Sequence, residues 1–228
     1  MTQPVQRRKF YWWTGILTSV AVIIFLAITR GLYFFPTFVA LGPCLPDWTS
    51  PSTYLAVFEE PASPMKKTRF KLGKGNVQIC YGSPSARGRS VFNNETLPDS
   101  LEIDSPRQFL VPNGRLWRLG ANEPTRIFID RPIFFGDIRL DPGRYSMYTI
   151  PGSREWEIFI TRSTFHWGNQ ISSEVRSKEV GSTRVPVSVV NEDTEELTFK
   201  ATDIQNDSAM LRIQWSNVSV NVPVVSSE

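Results

Sequence analysis

Between Trp12 and Thr29 the chain carries no Asp, Glu, Lys or Arg, and nine residues of that run are strongly apolar: Ile16, Leu17, Val20, Val22, Ile23, Ile24, Phe25, Leu26 and Ile28. On an insertion scale those nine contribute roughly −3 to −5 kcal/mol in sum. At about 1.5 Å rise per residue the run is slightly short of a bilayer core. Tyr11 before it and Gly31-Leu32-Tyr33-Phe34-Phe35 after it extend the apolar length, with Arg30 able to snorkel. Tyr11, Trp12 and Trp13 form an aromatic belt, and Arg7-Arg8-Lys9 directly ahead of them predicts a cytoplasmic N-terminus. The expected organisation begins with a cytoplasmic tail over 1–10 and one transmembrane anchor over 11–35. A cleaved signal peptide also begins basic and then apolar. Its small-residue site would be Ala40-Leu41-Gly42, but Pro43 follows and disfavours cleavage. Pro43 also holds the place before Cys44 where a lipoprotein site needs a small residue. An uncleaved anchor is the favoured reading.

Residues 36–68 are expected to form a juxtamembrane strip and spacer. Gly31 to Trp48 is too apolar for a solvated linker, and Pro36, Pro43 and Pro46 break any helix there. Two readings stand side by side: a membrane-surface segment with aromatic anchors, or a contact strip against a neighbouring membrane subunit. On the second, Trp12, Trp13, Phe34, Phe35, Phe38 and Trp48 are the partner-contact candidates. Thr49 to Lys67, rich in Pro, Ser and Thr, reads as a spacer.

Charge separates the two parts of the chain. Arg7, Arg8, Lys9 and Arg30 are the only charged residues before Asp47, which leaves 21 basic against 22 acidic residues beyond, a net of −1. So balanced a domain is no nucleic-acid binder by electrostatics, and the sequence pI of about 8.9 reflects the membrane flank. With one histidine and no C-x-x-C, neither a metal nor another cofactor is expected. Cys44 and Cys80 lie beyond the apolar run and pair if that side is oxidising. Cys80, in the strand-like Val77-Gln78-Ile79-Cys80-Tyr81, fits a plain buried thiol equally well.

From Arg69 onward the pattern has period two, in short apolar runs split by turns. Expected strands are Asn76–Tyr81, Gln108–Val111, Arg126–Asp130, Gly136–Leu140, Tyr145–Ile150, Glu155–Thr161, Arg184–Val190, Glu196–Asp203, Met210–Trp215 and Val218–Val224. Asp141-Pro142-Gly143 and Ile150-Pro151-Gly152 have the composition of type II turns. Pro112-Asn113-Gly114 is a further turn signal, and Ser216-Asn217 reads as a tight connection between the last two strands. One amphipathic helix is expected over Ile171–Glu179. The fold class is all-β, an antiparallel β-sandwich or partly closed barrel over 69–228, preceded by the transmembrane helix.

Three stretches carry a family resemblance: Tyr81-Gly82-Ser83-Pro84-Ser85-Ala86-Arg87-Gly88-Arg89, Trp117-Arg118-Leu119-Gly120-Ala121-Asn122-Glu123-Pro124-Thr125, and the hairpin from Gly136 to Pro151. They resemble a family of bacterial envelope proteins classed as domain of unknown function 2911. Residues 75–223 are covered by the resemblance, which implies an exported β-sandwich and no particular activity. Arg87, Arg89, Arg118, Asn122, Glu123 and Thr125 are the polar members of the first two motifs. Read functionally, they line a pocket whose guanidiniums take an anionic or sugar ligand. Read structurally, they are a buttress in which Arg118 or Arg89 pairs with Glu123, Asn122 caps a turn and Trp117 fills the core. The structural reading is preferred, and no catalytic set is assigned. His166, between two aromatic residues, reads as a packing residue. Glu155 and Glu157 share a strand face and look solvated.

Two functions from different classes follow. The first is a non-enzymatic accessory subunit in the bacterial inner membrane, with its domain in the periplasm, docking through its helix and strip onto a larger membrane complex of the respiratory or photosynthetic kind. The alternative is an anchored periplasmic module that binds a ligand or carbohydrate, or a hydrolase.

Overall fold

The computed structural model of the protein describes residue 44 and residues 62–92, 109–111, 113–166 and 171–227. All of these except Cys44 belong to a compact unit spanning Pro46–Glu228, while Cys44 belongs to a separate unit, Met1–Leu45. The expected anchor over 11–35 lies outside the described residues. Among the described residues no helix is long and apolar enough to cross a membrane.

Among the described residues, nine strands form one open antiparallel sheet: β1 Met65–Leu72, β2 Gly75–Gly82, β3 Thr125–Ile129, β4 Ile133–Phe135, β5 Ile138–Leu140, β6 Gly143–Ile150, β7 Glu155–Thr161, β8 Glu179–Thr202 and β9 Ser208–Ser226. Their order is β1-β2-β3-β6-β7-β8-β9-β4-β5, so β1 and β5 are the edges. The expectation of an all-β antiparallel fold is met. The sheet, however, is continuous, and β8 makes it so: residues 179–186 pair with β7 and residues 187–202 pair with β9. Twist carries the far half back over the near one. Thr68 of β1 donates Oγ1–H to the Phe199 carbonyl 2.5 Å away, Ser83 Oγ–H donates to Leu197 O at 2.8 Å, and the Tyr81 and Phe199 rings lie 4.4 Å apart. The result is sandwich-like, with its main core between the two halves.

Alternation decides which side chains enter that core. Phe70 and Leu72, Val77, Ile79 and Tyr81, Ile127 and Ile129, and Tyr145 and Met147 all point inward from β1, β2, β3 and β6. Large rings fill the centre. Phe92, Trp117, Trp156 and Trp215 form one group with centroid separations of 5.4–6.2 Å, mostly tilted or edge-to-face, as aromatic quadrupoles prefer. The Trp215 indole N–H is satisfied by the Glu195 carbonyl at 3.1 Å.

The chain leaves and re-enters the near half between two paired strands. β3 and β6 are hydrogen-bonded neighbours, yet the β4–β5 hairpin between them in sequence pairs with β9 in the far half. Pro132 and Pro142 stand at the two corners, where a residue lacking an N–H ends ladder pairing. The second corner is locked by Tyr145, which is buried and donates its hydroxyl proton to the Asp141 carbonyl at 2.8 Å, the tyrosine-corner device of β-sandwiches.

Several expected elements differ. No strand was expected before Asn76; β1 begins at Met65, inside the expected spacer, with Phe70 and Leu72 facing the core and the lysines continuing the period-two pattern. β4 was not expected, being only three residues long. Gln108 lies outside the described residues, and Val111 forms only an isolated bridge with Phe92. The two strands expected over 184–203 are one, as are the two expected over 210–224. Ser216 is no turn: it takes a left-handed φ of 52° and pairs with Thr194 where the β8–β9 register shifts, a bulge within continuous strands. Neither Gly143 nor Gly152 has positive φ, so the Pro-Gly pairs are not type II turns. The expected helix is one turn, α1 Ser173–Arg176, capped by Ser172. Cys44 and Cys80 are both disulfide-bonded, which decides between the bridge and the thiol.

If the corner anchors β6, Tyr145→Phe keeps the ring and loses about 0.5–1.5 kcal/mol with the hydrogen bond. Urea unfolding of the purified chain checks this, with an unchanged slope and a lower midpoint expected.

Candidate functional site

The loop from Trp117 to Thr125 runs directly into β3 and is pinned at its start. Trp117 and Thr149 exchange two backbone hydrogen bonds, both 2.8 Å, so the indole is carried beneath β6 into the aromatic group. Two residues then take left-handed backbone, Leu119 at φ 56° and Asn122 at φ 61°. Asn tolerates this; a bulky residue such as Leu does so only when its surroundings hold it there. The Leu119 side chain is fully buried in the core, and its carbonyl accepts Thr125 Oγ1–H at 2.8 Å.

Such a tight loop leaves carbonyls with no strand to pair with. Arg118 satisfies two of them, donating Nη1–H to Asn122 O at 3.0 Å and Nε–H to Gly120 O at 3.4 Å. Burial lowers the Arg118 pKa from its ordinary value, and the buried Glu123 carboxylate nearby acts in the opposite direction. The loop also touches the end of β2, where Ala121 N–H donates to Gly82 O at 3.2 Å. At Gly82 a Cβ would stand 2.1 Å from the Ala121 carbonyl oxygen, so only glycine permits this approach.

The first motif continues from that same glycine. Its turn is bound to β8: Ala86 N–H donates to Glu195 O at 2.8 Å, Leu197 N–H to Pro84 O at 3.1 Å, and Arg87 N–H to Glu195 Oε1 at 2.6 Å. The guanidiniums serve backbone here as well. Arg89 donates to Ala86 O at 2.9 Å and Ser85 O at 3.1 Å, and Arg87 to Ala62 O at 3.4 Å. Arg118, Asn122, Glu123 and Thr125 are thus gathered in one loop, while Arg87 and Arg89 stabilise an adjoining turn. What joins the two groups is the backbone seam at Gly82 and Ala121.

The remaining sequence candidates fall elsewhere. Glu155 and Glu157 both reach Arg184 on β8, at 3.2 and 3.6 Å. His166 Nδ1 lies 3.4 Å from Ser163 Oγ, and burial lowers its pKa. Trp12, Trp13, Phe34, Phe35, Phe38 and Trp48 lie outside the described residues. One polar arrangement was missed in the sequence. Under α1, on the outward face of the sheet, Tyr148 is fully buried, stacks on Phe159 at 5.1 Å and donates its hydroxyl to Glu179. Arg176 reaches the same Glu179 oxygen at 3.0 Å. Burial first, then Glu179, pushes the Tyr148 phenol well above its ordinary value. The signal was there in the alternation of β6, which sends Tyr148 outward opposite Phe159.

The family model described as Protein of unknown function (DUF2911) matches residues 63–224. The chain belongs to this family. The match starts at the threshold of β1 and ends within β9, so all nine strands fall in it, the last two residues of β9 excepted. No curated protein and no solved structure matches the chain.

If the seam is a structural joint, Gly82→Ala forces the Ala121 peptide to move and destabilises by about 1–3 kcal/mol or more. Arg118→Ala strips two carbonyls of their donor and is expected to cost about 1–3 kcal/mol. Thermal melts of the purified variants check both. Wild-type melting of Arg118→Ala, joined to loss of a bound anion or sugar, would instead restore the pocket reading.

Proposed function

We propose that this chain is a non-enzymatic, membrane-anchored accessory subunit. Its N-terminus lies in the cytoplasm, one helix crosses the bacterial inner membrane, and a β-sandwich domain stands in the periplasm. The helix and the strip from Leu32 to Trp48 dock onto a larger membrane-protein complex. The observation that carries this reading is the direction of the signature's polar groups. Arg87, Arg89, Arg118 and Thr125 donate to backbone carbonyls of their own and neighbouring turns, which makes a rigid body rather than a site with donors held out for a ligand. The oxidised state of both cysteines fits an extracytoplasmic side. The strip supports docking because proline-broken backbone at membrane depth needs hydrogen-bonding partners, and lipid tails offer none.

Extraction in mild detergent is expected to bring the chain out with a large complex. Changing Phe34, Phe35 and Phe38 together to Ser is expected to leave insertion intact and to strip the partners away. A wild-type chain that always migrates alone, or a triple variant that keeps every partner, would defeat the docking reading. Protease added to sealed spheroplasts is expected to remove the domain beyond Asp47, and cleavage only after lysis would reverse the orientation.

A further inference from the structure

Near-neutrality of the domain conceals a sharp separation of charge. The four neighbouring strands β1, β2, β3 and β6 contain Lys66, Lys67, Arg69, Lys71, Arg126 and Arg144 and not one Asp or Glu. β8 alone contains Glu179, Glu192, Asp193, Glu195 and Glu196. Register places the cations. Lys67, Arg69 and Lys71 alternate with the core-facing Phe70 and Leu72, and they stand opposite Cys80, Gln78 and Asn76 of β2. Gln78 stands opposite Phe128, which in turn stands opposite Arg144. Five of the six cations therefore share the outward face, Arg126 buried there with Gln78 and Cys80 and the other four exposed; the sixth, Lys66, turns inward to the Glu196 carboxylate of β8.

We infer that this outward face rests on anionic phospholipid headgroups, and the inference depends on the membrane anchoring proposed above. Lys67, Arg69, Lys71 and Arg144 are exposed. Along β1 the three cations cover about 14 Å, and from β1 to β6 the face spans about another 14 Å. Side chains on a pleated face stand parallel and do not converge, so they make no cradle for one small anion. A layer of mobile headgroups meets such a grid without needing a fixed geometry. Arg144 sits 5.7 Å from the Phe128 ring centroid, which gives the face an amphipathic patch of the kind that suits an interface between water and lipid. β1 is also the first described strand after the apolar run, and on the proposed anchoring the tether raises the domain's concentration at the bilayer surface. At that effective concentration a few weak contacts suffice. Each Lys or Arg near an anionic surface strengthens attachment about fivefold.

The full chain in lipid nanodiscs tests this, using discs of phosphatidylcholine alone and discs with about 30% phosphatidylglycerol. Amine acetylation read by mass spectrometry reports on Lys67 and Lys71, with the exposed Lys200 of β8 as the reference. In the anionic discs Lys67 and Lys71 are expected to react about fivefold more slowly or less, the reference is expected not to change, and about 0.5 M salt is expected to abolish the difference. The variant Arg69→Glu with Arg144→Glu keeps both reporter lysines and is expected to lose the protection; if it misfolds, the wild-type comparison between discs still decides. Equal rates in the two discs overturn the headgroup contact while leaving anchoring intact. A chain that leaves both discs on gel filtration overturns anchoring and, with it, this inference. Protection in native membranes without protection in anionic discs also overturns it and assigns the face to an acidic protein.

Discussion

The peptide of Ala121 passes so close to Gly82 that no side chain fits between them, and much of the near half is arranged around that approach. A loop this buried has few waters to serve its carbonyls, and each unmet one is a free-energy cost. Arg118 and Thr125 answer that need from within the loop. Left-handed backbone at Leu119 and Asn122 folds the chain tightly enough for these donors to reach. Because Trp117 is fixed to Thr149 on one side and Ala121 to Gly82 on the other, the loop ties β6 to the end of β2. The indole beneath then meets Trp156 and Trp215, which belong to β7 and β9. One backbone contact thus sets the relation between local strain, core packing and the two halves of the sheet.

The second constraint is the length of β8. Its 24 residues let a single strand serve both halves, so the sheet bends where two separate sheets would need a crossover. β8 changes partner between Pro186 and Val187, and its pairing with β9 becomes irregular just beyond, between Val189 and Thr198. Bulges increase local twist and accommodate this turn of the sheet. The same segment carries Glu192, Asp193 and Glu195 on its exposed side, and Glu195 and Glu196 reach back to the turn of the first motif and to Lys66. Carboxylates collect where the sheet bends, and cations collect on the strands at its other end.

Period-two alternation made most strands legible, because one face of each is buried and a one-residue slip would expose it. It failed where another effect governed. β1 went unrecognised because Lys66 and Lys67 look like spacer, although Lys67, Arg69 and Lys71 alternate with Thr68, Phe70 and Leu72. β4 is too short for a periodic signal and is held by its pairing with β9, while β5, within the expected Gly136–Leu140, pairs with β4. Ser216-Asn217 has turn composition, but continuous pairing on both sides turns the irregularity into a bulge. Of the signature, the residue types were legible and their direction was not: sequence cannot say whether an arginine faces its own carbonyls or a ligand. The outward cations were legible residue by residue but not as a face, because strand order, which sequence does not display, brings β6 beside β3.

That last point bears on how a signature should be weighed. Arg, Asn, Glu and Thr in one short loop look like recognition chemistry, yet a buried left-handed loop demands the same residue types for its own satisfaction. Polar residues that complete a fold are no guide to what the fold touches. Surfaces are the better guide, and here electrostatics distinguishes one face that the net charge hides. Screening in physiological salt limits an exposed charge to about 8 Å, so a partner feels the nearest face and not the whole domain. A body with a net charge near zero can therefore present a cationic face to one neighbour and an acidic strand to another, without self-repulsion large enough to weaken the core it surrounds.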